Sequence, residues 1–139
     1  MFGIIVGTHG GFSEELLRGC EMICGVTKNV KAVSMFPREG MEIMLKKYQE
    51  AVTSMDTDGR ILFLNDIFGG TPYNAACRLV MKNEQYGIVS GANLPMLIEM
   101  ISEQLSDEQT DILGLMDKAV QAGRAGMHVF HASTLREIR

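Results

Sequence analysis

The chain of 139 residues has no uninterrupted apolar run long enough to cross a bilayer, so direct membrane insertion is not expected. It also lacks an excess of basic charge: 13 Lys and Arg stand against 17 Asp and Glu, giving a formal charge of -4. That balance offers no continuous basic surface for a phosphate backbone, and nucleic acid is not expected as a partner. Cysteine is scarce. Three cysteines, an odd number, fit reduced thiols better than a disulfide framework. Cys20 and Cys24 are four apart on an expected helix, a spacing that is neither the redox Cys-x-x-Cys nor a zinc knuckle, and both are read as core packing. Neither Gly-x-x-x-x-Gly-Lys-Ser/Thr nor Gly-x-Gly-x-x-Gly occurs, so a nucleotide kinase or a dinucleotide enzyme would lack its phosphate loop. The apolar stretch from Met1 to Val6 has no basic lead-in and runs into Gly7-Thr8-His9. It does not read as a signal peptide, and the expected location is the cytoplasm.

What is present is a globular balance, 46% hydrophobic and 22% charged, without low-complexity segments, linkers or repeats. A single domain over residues 1–139 is expected. Short β-branched runs alternate with stretches of helical period, the pattern of a parallel sheet covered by helices, so the fold class is α/β. Strands are expected at Phe2 to Val6, Val30 to Met35, Arg60 to Leu64 and Tyr86 to Val89, with a weaker one near Met127 to Phe130. Ser13 is expected to cap a first helix with Leu16, Leu17, Cys20 and Ile23 on one face, ended by Gly25. A second helix carries Met41, Met44, Leu45, Tyr48, Val52 and Met55 in one stripe. Thr71-Pro72 opens a third, with Tyr73, Ala76, Cys77 and Val80 inward; Pro95 opens a fourth; and Ser106 with Gln109 resembles a capping box for the last.

Ligands of open parallel sheets gather beyond the carboxyl ends of the strands. Two loops there are unusual: Gly7-Thr8-His9-Gly10-Gly11 after the first strand and Asn65-Asp66-Ile67-Phe68-Gly69-Gly70-Thr71-Pro72 after the third. Glycines after His9, Gly10 foremost, let the ring be exposed while the backbone approaches a ligand closely. Neutral imidazole is a nucleophile at physiological pH when its tautomer is held. Asp66 can hold it, accepting a hydrogen bond from one ring nitrogen and stabilising the charge that develops as the other takes a phosphoryl group. Gly69, Gly70 and Thr71 run into a helix N-terminus, where free N–H groups and the helix dipole favour an anion. Thr71 either offers its hydroxyl to a phosphoryl oxygen or serves as a plain helix cap, and both roles can coexist. His128 and His131 lack neighbouring ligands and are read as structural or exposed, with no metal site implied.

Three blocks, Gly3-Ile4-Ile5-Val6-Gly7-Thr8-His9-Gly10, Asp66-Ile67-Phe68-Gly69-Gly70-Thr71-Pro72-Tyr73-Asn74 and Val89-Ser90-Gly91-Ala92-Asn93-Leu94-Pro95-Met96, resemble the mannose-class IIA component of the phosphoenolpyruvate-dependent sugar phosphotransferase system. The resemblance extends to about Ala125 and leaves the C-terminal tail poorly matched. It implies that His9 is phosphorylated by the histidine phosphocarrier protein and discharged onto a IIB component. Asp66 takes the place of the residue that orients the histidine, and Thr71 that of a hydroxyl that helps hold the phosphoryl group. No metal or organic cofactor is implied. The implied fold is a doubly wound sheet of four parallel strands plus an antiparallel C-terminal strand exchanged within a homodimer. Three other readings compete: a IIA-like phosphodonor subunit of dihydroxyacetone kinase, a regulatory phospho-acceptor module, and a small α/β binding protein in which His9 and Asp66 line a pocket.

Overall fold

Four short runs dominated by aliphatic residues form one sheet in the structure, a computed structural model that describes residues 1–106 and 108–136. The strands are β1 (Gly3–His9), β2 (Val30–Met35), β3 (Ile61–Asn65) and β4 (Tyr86–Ser90), all parallel, in the order β2-β1-β3-β4. Parallel neighbours need crossover connections, and α1 (Phe12–Cys24), α2 (Met41–Ser54) and α3 (Thr71–Val80) supply them; α4 (Leu94–Leu105) and α5 (Ile112–Ala125) follow β4. The two-residue period of the strands sorts their side chains between two cores. Ile4, Val6, Leu62 and Leu64 meet α1, α4 and α5 on one face, while Ile5, Ile61 and Phe63 meet α2 and α3 on the other. The expected doubly wound α/β sheet of four parallel strands is therefore present.

Winding reverses between β1 and β3, which lie side by side with Gly7 opposite Asn65. A crevice at the carboxyl ends of these two strands follows from that topology. β1 continues beyond the expected Val6 as far as His9, pairing His9 with Met35 of β2. The methionine-rich stripe of α2 is buried or half-buried as expected, with Met44 and Tyr48 fully enclosed.

Several local expectations need correction. Ser13 does not cap α1; it lies inside the helix, and its hydroxyl donates to Val33 O at 3.1 Å. The cap comes from Thr8, whose buried Oγ1 accepts the Ser13 N–H at 2.8 Å, so the strand itself terminates the helix. Ile23 and Cys24, at the end of α1, are exposed; Cys20 is buried, and burial together with the neighbouring Cys24 pushes its thiol up to about 12. In α3 the fully buried residues are Pro72, Ala75 and Ala76, small enough for the helix to sit close to the sheet. Ser106 closes α4, and Asp111 caps α5 by accepting the Gly114 N–H at 2.8 Å, so Ser106 and Gln109 form no capping box.

Among the described residues, no strand forms at the expected position near Met127 to Phe130. The segment takes no regular structure before a short 3-10 helix (Ala132–Arg136), and Met127, Val129 and Phe130 are all exposed. A strand requires a hydrogen-bonded neighbour, and no strand of this chain's own sheet pairs with the segment.

Gly7 faces α2, where an added Cβ would lie 2.0 Å from the Tyr48 hydroxyl oxygen. Gly7→Ala should lower the unfolding free energy by about 1–3 kcal/mol through overpacking, measured as a lower urea midpoint. An unchanged midpoint would mean that Tyr48 can withdraw at no cost.

Candidate active site

His9 ends β1 and Asp66 directly follows β3, so the pairing of Gly7 with Asn65 brings the two side chains together. Asp66 Oδ2 accepts from the His9 backbone N–H at 3.0 Å and lies 2.8 Å from His9 Nδ1, while Oδ1 accepts the Ile67 N–H at 3.0 Å. An ionised carboxylate can only accept, so Nδ1 donates in this contact, and in the neutral ring that leaves the lone pair on Nε2. Asp66 is 14% exposed and His9 42%, so the orienting group is sheltered while the ring is open to a partner.

The other end of the ring points at the start of α3. A Cβ on Gly70 would sit 2.7 Å from His9 Cε1 and 3.3 Å from Nε2, so glycine is what lets the backbone come this close. Helix α3 begins at Thr71, with Gly70 in the cap position and no side chain capping it. The first N–H groups of a helix have no acceptor within it, so Nε2 lies where an anion is favoured. Gly69 has φ +81, the left-handed turn that feeds the chain into α3, and its carbonyl is fixed by Asn74 Nδ2 at 3.0 Å. Thr71 is half-buried at the helix start, and its hydroxyl is not used as a cap.

Gly10 makes the corresponding turn after β1, with φ +59, and its N–H donates to Met35 O at 2.7 Å. Its part in the site is thus the turn, since its own donor is engaged. The third loop also reaches the crevice: Ala92 N–H donates to Asn65 O at 2.9 Å, and Asn93 caps α4 through the Met96 N–H at 3.0 Å. His9, Asp66, Gly69, Gly70 and Thr71 are therefore assembled at one point, as the sequence suggests. His128 and His131 are exposed. Among the described residues, no three His, Cys, Asp or Glu side chains are grouped so as to hold a metal ion.

Sequence reasoning missed three participants. Thr8 anchors α1; Asn65 is fully buried and not a loop residue; and Tyr48 reaches the crevice from α2, donating to Pro72 O at 2.8 Å. The only sequence signal for Tyr48 was a hydroxyl within an otherwise apolar stripe.

A ring nitrogen facing a helix N-terminus, with its second nitrogen held by a carboxylate, can present a nucleophile where an anion is favoured. A family model described as the PTS system fructose IIA component matches residues 3–119. The chain belongs to this family, the mannose-class IIA components of sugar phosphotransferase systems. The mannose-specific EIIAB component of Escherichia coli (strain K12) is 37% identical over 134 residues, which cover 96% of this chain and 41% of that protein. This chain thus spans about two fifths of that relative's length, 41%. The fructose-specific EIIA component of Bacillus subtilis (strain 168) is 38% identical over 102 residues, 73% of this chain and 70% of that one. Among solved structures, EIIA from Streptococcus agalactiae superimposes with a TM-score of 0.81 at 27% identity, covering 96% of this chain and 99% of that chain. No helix among the described residues is long and apolar enough to cross a membrane.

Gly70 has φ -76 and ψ 170, a conformation open to any residue, so alanine there adds no backbone strain. Gly70→Ala should keep the thermal midpoint near wild type yet push the His9 ring off Asp66. The imidazole 15N spectrum should then lose its single-tautomer pattern. An unaltered spectrum would place the ring away from Gly70.

Proposed function

We propose that this chain is a phosphocarrier that accepts a phosphoryl group on His9 Nε2 from the histidine phosphocarrier protein and passes it to a IIB component. The observation that carries this reading is the His9 ring tied at Nδ1 to Asp66 with Nε2 over Gly70. On loading, Nε2 forms a bond to phosphorus as the donor's ring nitrogen departs with its electron pair; on discharge, the IIB nucleophile forms the new bond to phosphorus and Nε2 leaves with its electron pair restored. His9 keeps its Nδ1 proton, and Asp66 balances the charge the ring acquires. Gly69, Gly70 and Thr71 receive the phosphoryl oxygens through backbone N–H groups and the Thr71 hydroxyl, while Gly10 shapes the opposite wall. Such a transfer depends on in-line placement and charge stabilisation, and needs neither ATP nor a metal at this site.

A protein partner is supported by the rim of the crevice. Phe12, Phe36, Ile67 and Phe68 are large apolar residues left exposed at the carboxyl ends of the strands, and Phe68 packs at a tilt against Tyr73 with ring centroids 5.0 Å apart. Apolar anchors around a charged centre suit docking of another protein's surface. The uncovered Met127, Val129 and Phe130 support a homodimer in which this segment pairs with the sheet of a second copy. The working location under this reading is the cytoplasm, and residues 1–139 act as one IIA unit.

Intact mass after incubation with phosphoenolpyruvate, enzyme I and the histidine phosphocarrier protein tests the function. Wild type should gain one acid-labile phosphoryl group and His9→Ala none. Phosphate on the variant, or none on wild type, would overturn the reading. Asp66→Asn should fold normally yet accept phosphate about 100-fold more slowly, because an amide can present the wrong group to Nδ1. Phe68→Ala should raise the KM for the donor protein about tenfold while leaving kcat intact, as loss of a docking anchor requires.

A further inference from the structure

The Tyr48 phenol is fully buried within an otherwise apolar stripe of α2. Its hydroxyl donates to Pro72 O at 2.8 Å and accepts from Asn65 Nδ2 at 3.0 Å; the same Nδ2 donates to Gly7 O at 2.8 Å. Gly7 O can only accept, which fixes the orientation of the Asn65 amide. These contacts join three separate segments. Gly7 lies two residues before His9, Asn65 immediately precedes Asp66, and Pro72 immediately follows Thr71. One hydroxyl and one amide thus tie together the strand bearing the nucleophile, the strand bearing its orienting carboxylate, and the helix start facing Nε2.

The network carries a cost that stability alone does not explain. Asn65 Oδ1 is buried without a hydrogen-bond partner among the described residues, and an unsatisfied buried acceptor is destabilising. Room for the hydroxyl also requires glycine at position 7. Polar groups kept in a core at such cost are candidates for fixing geometry. Burial, with Asp66 as a further contributor, raises the Tyr48 phenol well above its ordinary range, so the hydroxyl stays protonated and remains a donor.

We infer that Tyr48, acting with Asn65, is a positioning residue that sets the distance between the His9 ring and the N-terminus of α3. It touches neither the phosphoryl group nor the partner. The inference rests on the carrier function proposed above and adds to it a residue remote from the transferred group. Without the hydroxyl, Pro72 O loses its side-chain donor, the hydrogen-bonded link from α3 to β1 and β3 through Tyr48 and Asn65 is broken, and the phosphate site drifts from Nε2.

Tyr48→Phe keeps the ring and its edge contact with Phe63, whose centroid lies 5.2 Å away. Phe63→Leu disturbs the same ring from the apolar side and leaves the hydroxyl bonds in place. Phosphorylation should be followed at saturating and limiting donor, together with thermal midpoints and the pH titration of the His9 ring by NMR. Y48F should lower kcat about tenfold with an unchanged KM and move the His9 titration midpoint. F63L should lower the thermal midpoint while preserving kcat and the titration. Wild-type kcat in Y48F, or an equal loss of kcat in both variants, would overturn the positioning role. A wild-type protein that takes up no phosphate would instead refute the carrier function on which that role depends.

Discussion

A single carboxylate oxygen, Asp66 Oδ2, accepts from both the backbone N–H and the ring of His9, and the rest of the site follows from that double contact. The backbone bond fixes where His9 sits relative to β3, and the ring bond fixes which nitrogen is free. A histidine held by its ring alone could swing about its side-chain torsions. Held at two points it has one presentation, with Nε2 directed at the start of α3. Charge, tautomer and direction are thus set by the same group.

That contact exists because the sheet reverses its winding between β1 and β3. β1 runs two residues beyond the Gly7–Asn65 pair, so His9 at its end and Asp66 just after β3 enter the same crevice. The two cores on either side then position the remaining parts. Small residues on the inner face of α3 allow its first turn to approach the sheet, and Tyr48 from α2 joins that turn to both strands. The glycines that matter act by close approach or left-handed geometry: Gly7 beneath the Tyr48 hydroxyl, Gly70 beneath the His9 ring, and Gly69 at the turn into α3. Under the proposed carrier function, this spacing among packed elements suits a transfer whose chemistry asks mainly for alignment.

Most of this architecture was legible in the sequence. Alternating aliphatic runs and helical stripes located the four parallel strands, and glycine-rich strand ends located His9, Asp66 and Thr71. Local cap rules were less informative, because a hydroxyl's partner depends on tertiary neighbours: Ser13 turned inward to β2, while Thr8, a strand residue, capped α1. Periodicity marked Ile23 as inward, whereas the last turn of α1 leaves it exposed. Tyr48 matched an apolar stripe, so its hydroxyl carried no signal until Asn65 and Pro72 were seen beside it. The segment from Met127 to Phe130 has strand-forming residues but pairs with no strand among the described residues, and pairing is what makes a strand.

The most direct test of the account is a long-range 1H–15N correlation spectrum of the phosphorylated protein, with histidine labelled, to assign the nitrogen bonded to phosphorus. Phosphorus on Nε2 of His9, with Nδ1 still protonated and shielded from exchange by Asp66, is the result predicted. Phosphorus on Nδ1, or a ring whose Nδ1 proton exchanges freely, would contradict it.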